Sequence, residues 1–212
     1  MNSIRFLQLG WVIAAAMIAV TVAEGFQAPV IKIGVVDVTR VIEQSDFGKT
    51  NQEAFAKMKA AREGLMEFVD TYRMVTPEQA QRMRELGLKT NPSKEETTEL
   101  DKIKATVIAA RKRSTELGTK ANLSPEERVQ VEEFARRSDE AVQLNARWFR
   151  EFNQDMQAWA DREKIDSVER VRRSIQEVAK KDGYTVVLEA GVAPYGANDI
   201  FDETLKAVND KR

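Results

Sequence analysis

Hydrophobic and polar positions follow three different rhythms along this chain. Phe6–Val22 is an uncharged apolar run. Ile31–Val38 and Thr185–Glu189 are short, rich in β-branched residues and apolar on both faces, which suits strands covered on two sides. Between them, from about Thr39 to Lys181, the chain is polar with apolar residues at helical spacing. Strands at either end of so long a helical excursion can pair only if the excursion doubles back. The pattern therefore predicts a mostly α chain with a small β body, carrying a long antiparallel helical-hairpin arm of coiled-coil type.

The arm begins with a heptad pattern. Phe47, Ala54, Ala61 and Phe68 fall on one line, and Asn51, Met58, Leu65 and Tyr72 on a second. Together they make the a/d seam of a coiled coil. Thr39 or Ser45 is placed to cap it. Thr76-Pro77 is a helix start, Asn91-Pro92-Ser93 breaks the next helix, and Asn122-Leu123-Ser124-Pro125 breaks and restarts the one after. The reading is an irregular tip somewhere within 74–125, with no internal repeat. From Pro125 the helical pattern continues past Lys180-Lys181 to the stop at Asp182-Gly183. Trp148, Phe149, Phe152, Met156 and Trp159 line one part of that helix; Ile165, Val168, Ile175 and Ala179 continue the stripe after a phase shift. An arm of roughly 40 to 50 residues would be about 60–75 Å long. After the strand Thr185–Glu189, a third short strand is expected at Val192–Tyr195, and a last helix capped by Asp199.

The first residues bear on destination. Arg5, the apolar run, and small residues in Thr21-Val22-Ala23 have the three-part layout of a secretory signal peptide over 1–23, cut after Ala23. The alternative is an uncleaved anchor, since a run of about 17 residues is near the lower limit for a membrane span. A chain retaining it would be a membrane-anchored coiled-coil scaffold of the cell envelope.

Composition narrows the chemistry. The 212 residues include no Cys and no His, which removes thiol nucleophiles, imidazole ligands and the commonest general base, and disfavours an enzyme. No phosphate loop, metal-ligand spacing or cofactor motif is present. With 33 basic against 34 acidic residues there is no global basic field to attract nucleic acid. Charged residues make up 32% of the chain and mean hydropathy is -0.45, values that suit long exposed helices. Lys102 with Lys104, Arg111-Lys112-Arg113, Arg136-Arg137 and Arg170 with Arg172-Arg173 are interleaved with acids and read as helix surface. Trp148, Phe149, Phe152 and Trp159 are either seam packing or a client-facing surface; Trp148 beside Phe149 makes the apolar face wider than a two-helix seam needs. A wide face calls for a third partner, another subunit or a bound chain.

Lys32-Ile33-Gly34-Val35-Val36-Asp37-Val38 feeding a helix, the strand Tyr184–Ala190 ending in an acid, Tyr195, and the closing run Asp199–Lys206 resemble the Skp/OmpH family of periplasmic chaperones. The specific resemblance covers about a third of the chain, the helical middle fitting by character and length. It implies a homotrimer with a "jellyfish" architecture, in which strands from three chains share a β body and arms surround a cavity. It implies ATP-independent holding of unfolded outer-membrane proteins, without a cofactor. The body would comprise 24–38 and 183–212, with Ile33, Val35, Val186, Leu188 and Tyr195 in the shared sheet, and the arm would span 39–182. Well-known members are strongly basic and this chain is not, so no residue for membrane-surface or lipopolysaccharide contact is carried over.

Overall fold

The computed structural model describes residues 31–193 and 198–210. The expected leader over 1–23 and Tyr195 lie outside them. The element order is β1 (Ile33–Val36), α1 (Val38–Gln44), α2 (Asp46–Tyr72), α3 (Pro77–Gly87), α4 (Lys94–Gly118), α5 (Pro125–Asp182), β2 (Val186–Glu189), β3 (Asn198–Asp199) and α6 (Phe201–Asn209). The chain is thus mostly helical, with one small sheet and one very long helix. Packing divides the described residues into two units, 31–37 with 173–193 and 198–207, and 38–172 with 208–210.

In the first unit the strands lie in the order β2-β1-β3, parallel throughout. The two segments flanking the helical excursion do pair, Ile33 opposite Val186 and Val35 opposite Leu188. Side chains alternate along a strand, so Gly34 and Val36 share one face. Both are buried, Gly34 beside Tyr184 and Ile200. The first strand ends sooner than expected, because Val38 already begins α1. The third strand is also displaced, to Asn198–Asp199. The Val192 and Ala193 amides donate to the Glu189 carbonyl at 2.8 and 3.3 Å, so those two residues form a turn. As expected, the Asp199 carboxylate accepts the Phe201 N–H that opens α6, at 3.0 Å.

The stop of α5 is built in the same unit. Gly183 adopts a left-handed φ of 72°, and the Tyr184 N–H reaches back to the Ala179 carbonyl at 2.9 Å, the six-to-one bond of a Schellman ending. Lys32 Nζ donates to the Asp182 carbonyl at 2.8 Å and sits 4.1 Å from the Tyr184 ring centre. A cation is thus held at the negative end of the helix dipole.

In the second unit α2 and α5 run antiparallel. Asn51 Nδ2 donates to Glu163 at 2.8 Å, Phe55 meets Trp159 at 5.7 Å between ring centres, and Leu65 and Val69 share a core with Trp148 and Phe152. Ser45, not Thr39, caps α2, its hydroxyl accepting the Gly48 N–H at 3.0 Å. The α1–α2 corner is so tight that a Cβ on Gly48 would lie 1.8 Å from the Ile42 carbonyl oxygen. Only glycine permits that approach.

The far end is broken in three places, as expected within 74–125, and each break is a built turn. Arg73 closes α2 in the left-handed region, and Met74 and Val75 turn inward and are buried. Thr76 with Gln79 forms a capping box for α3, which folds back along α2 until Gly87 abuts Leu65. The chain then turns outward again as α4. Arg82 of α3 pairs with Glu99, Lys104 lies 5.8 Å from the Phe68 ring centre, and Val107 joins the core. Farther out, Arg113 and Lys120 bond Glu127 in the first turn of α5. Along its length α5 therefore changes partner, from α2 to α4, and α3 is the switch-back that makes the exchange possible.

The two turns around α4 share one construction, which corrects the expectation of no internal repeat. Glu85-Leu86-Gly87-x-Lys89-x-Asn91-x-Ser93-x-Glu95-Glu96 recurs as Glu116-Leu117-Gly118-x-Lys120-x-Asn122-x-Ser124-x-Glu126-Glu127. In each, the serine hydroxyl accepts the amide of the second glutamate, at 3.2 and 3.3 Å, while that carboxylate accepts the serine amide, at 2.8 and 3.0 Å. Lys89 and Lys120 reach the same carboxylates at 2.6 Å. These ammonium bonds are the chief reason Glu96 and Glu127 are held below the usual carboxylate range.

Candidate functional site

The aromatic residues of α5 do not form one surface. Trp148 is 3% exposed and Phe152 2%, both inside the core of the second unit. Their ring centres are 5.6 Å apart, and the guanidinium carbons of Arg62 and Arg84 lie 5.5 and 5.2 Å from that of Phe152. Arg84 also pairs with Glu151. The client-facing role is therefore corrected for these two residues. The wide apolar face does have the further partner it demanded, but this same chain supplies it: Met74, Val75, Ala80 and Met83 from α3 and the turn before it, and Val107 from α4. Trp159 is half-buried against Phe55. Phe149 alone of the four is turned outward, 58% exposed.

The later stripe on α5 is corrected too. Its buried line is Ser167, Val171, Ser174 and Val178, whereas Ile165 is exposed and Val168, Ile175 and Ala179 are half-buried flanks. Serine is small enough to let a helix approach its neighbour closely, and a search for large apolar residues passes over it.

Among the grooves of the second unit are two beside these aromatic residues. One, of about 550 Å³, is walled by α1, α2 and α5 and includes Ile42, Phe55, Trp159 and Val168. The other, of about 580 Å³, lies between α2 and α5, with Met66, Glu67 and Asp70 on one wall and Val142, Asn145, Phe149 and Arg150 on the other. Nothing in the hydropathy pattern singled out Val142 or Asn145: Val142 lies beside Ala141 and off the line of Trp148 and Phe152, and Asn145 is a polar residue between Leu144 and Ala146.

Most of the basic clusters are engaged locally. Arg113 pairs with Glu116 and Glu127, Arg136 with Glu133 and Glu140, and Arg137 with Glu133. Arg170 lies over the Phe47 ring at 4.7 Å. Glu133 is held below the ordinary carboxylate value by the guanidinium bonds of Arg137 first and Arg136 second.

In the first unit the register brings four of the expected sheet residues together. Ile33, Val35, Val186 and Leu188 occupy paired positions on one face, turned away from the buried Gly34 and Val36. Ile33 is 37% and Val186 42% exposed, and Val35 and Leu188 are half-buried, so the described residues leave this apolar face incompletely covered.

Among the described residues no three His, Cys, Asp or Glu side chains gather to hold a metal ion. None of the described helices is long and apolar enough to cross a membrane. Comparison with curated proteins returns no match. Residues 32–208, which include every described strand and nearly all of the helices, match the family model described as outer membrane protein (OmpH-like), a family of periplasmic chaperones and not of enzymes. The chain therefore belongs to the OmpH-like family.

Proposed function

We propose that this protein is an ATP-independent periplasmic holdase, a homotrimer that shields unfolded outer-membrane proteins in a cavity between its helical arms. The single observation that carries the reading is the open apolar face of Ile33, Val35, Val186 and Leu188 in a chain of the OmpH-like family. A sheet of three short strands is marginal alone. Exposed apolar surface of this kind is covered in the working protein, and two further copies presenting the same face supply the cover. The body then comprises 24–38 and 183–212, and the arm 39–182. Holding a client needs no catalytic residue; it needs many weak contacts along the arm. Phe149 is the outward aromatic from the original four that remains free to make them.

Export by a leader cut after Ala23 completes the reading. The test is dilution of a denatured β-barrel protein from urea into buffer without nucleotide. A several-fold excess of the mature chain is expected to suppress the rise in turbidity, and an undiminished rise refutes the holdase. The mass of the N-terminus in cells separates the two destinations: a chain starting at Glu24 is exported and released, and a chain retaining Phe6–Val22 is an anchored envelope scaffold.

A further inference from the structure

The apolar residues in the middle of α5 fall on two faces, and the described residues cover only one. Ala141, Trp148 and Phe152 are buried. Val142, Ala146 and Phe149 recur at helical spacing one step further round the helix and are exposed, Val142 by 47% and Phe149 by 58%. With Met66 of α2 they line the groove between α2 and α5. Charge divides its two walls: Glu67 and Asp70 stand on α2, and Arg150 on α5. Asp70 is engaged by Arg73. Neither Glu67 nor Arg150 makes an ion pair or a side-chain hydrogen bond among the described residues, although both line the one groove. What remains is an apolar strip with an unpaired acid on one side and an unpaired base on the other.

Such a surface is complementary to itself. A half-turn about an axis laid along the groove keeps every residue at its own level and sets each wall of one copy on the opposite wall of the other. Arg150 of each copy then meets Glu67 of the other, and Phe149 meets Met66. The two apolar strips cover one another, and the ion pair forms twice. Because α2 and α5 run antiparallel, α5 of one copy lies antiparallel on α2 of the other, the arrangement these helices already have within the chain. Other occupants satisfy less of the groove. An acyl chain covers Phe149 and strands both charges, and a nucleic-acid phosphate meets Glu67 and Asp70. A foreign polypeptide would need an acid and a base at this one spacing, which a second copy brings by symmetry. We infer that this groove docks a second copy of this chain, two-fold related along the groove, with Arg150 and Glu67 as the reciprocal ion pair and Phe149 at the centre. The contact is separate from the open sheet face and goes beyond the holdase reading, since it covers Phe149 while no client is held.

The test uses the mature full chain, whose lack of cysteine allows one thiol per copy. Chains carrying Ala146→Cys and chains carrying Asp70→Cys, both at exposed positions in the groove, are mixed in urea, refolded together and mildly oxidised without client. The expected product is the mixed disulfide, α5 of one copy to α2 of another, in clear excess over either homodisulfide. In that background Arg150→Glu, and separately Glu67→Arg, is expected to keep the melting temperature and to cut the yield by about fivefold or more, as two exposed ion pairs turned repulsive imply. Both reversals in one chain are expected to restore it. No mixed disulfide, or a yield indifferent to Arg150 and Glu67, overturns the inference. So does a predominant homodisulfide of Ala146→Cys, which would set α5 on α5. Loss of binding to anionic phospholipid vesicles or to client in Phe149→Ser, with no mixed disulfide, overturns it as well and assigns the groove to a membrane or a client. Barrel aggregation suppressed without the mixed disulfide overturns the pairing and leaves the holdase standing. A charge-dependent mixed disulfide without suppression does the reverse.

Discussion

Phe152→Ala separates a seam aromatic from a surface aromatic. The ring is 2% exposed, packed on Trp148 and flanked by the guanidinium groups of Arg62 and Arg84. Truncating a buried Phe to Ala costs about 3–5 kcal/mol, more when the cavity cannot collapse. Here the surrounding groups belong to α2, α3 and α5, and the Arg84–Glu151 pair already ties α3 to α5, so collapse is restricted. The two cations would also lose their aromatic partner, a contribution of about 0.5–1 kcal/mol apiece when exposed. In a chain of this size the total is expected to lower the melting temperature by roughly 8–28 °C. Phe149→Ala, three residues earlier and turned outward, is expected to change stability by no more than about 0.5 kcal/mol. Urea and thermal unfolding of the two variants beside the parent decide the matter. Equal losses in both, or a loss below about 1 kcal/mol for Phe152→Ala, would refute the placement of α3 over this part of α5.

Gly48→Ala is expected to be strongly destabilising, because its Cβ would lie 1.8 Å from the Ile42 carbonyl oxygen and 3.1 Å from the Ser45 hydroxyl that caps α2; a melting temperature equal to that of the parent would refute the tight α1–α2 corner. The turns around α4 are expected to loosen in acid. Glu96 and Glu127 have carboxylates held below 4.5, chiefly by Lys89 and Lys120, so what these bonds contribute is complete above that value and is lost as pH falls through the lowered one. Backbone order parameters of the turn residues 90–93 and 121–124, measured at about pH 6 and about pH 3, are expected to drop together, and Lys120→Met is expected to weaken the second turn already at the higher pH; turns equally ordered at both values contradict the assignment. Val35→Asp and Leu188→Asp each put a carboxylate on the open apolar face of the sheet and are expected to dissociate the proposed trimer in light scattering. A trimer of unchanged mass and stability in either variant would show that this face is not the shared one.

Much of the fold could be read from residue types, and what could not has a physical reason. β-branched runs at Ile33–Val36 and Val186–Glu189 gave the pairing strands, and Ser124-Pro125 and Asp182-Gly183 bounded the long helix as capping chemistry requires. The switch-back was hidden because α3 is an 11-residue, largely polar helix whose few inward side chains, Ala80, Met83 and Leu86, give too short a period to assign to a partner. With α3 unassigned, Trp148 and Phe152 seemed to need a partner from outside. The repeated turn was missed because it lies in polar residues, where only side-chain hydrogen bonding reveals the correspondence. In the candidate groove Phe149 was visible in sequence. Asn145 was not, since an amide is notable only once it is buried without a partner.

The central claim is that three copies together hold an unfolded outer-membrane protein. Native mass spectrometry of the mature chain, mixed with a denatured β-barrel protein diluted from urea and without nucleotide, tests it most directly. The expected result is a complex of three copies of this chain with one client. A single copy with no client attached, at concentrations where the barrel protein alone aggregates, would contradict both the assembly and the function.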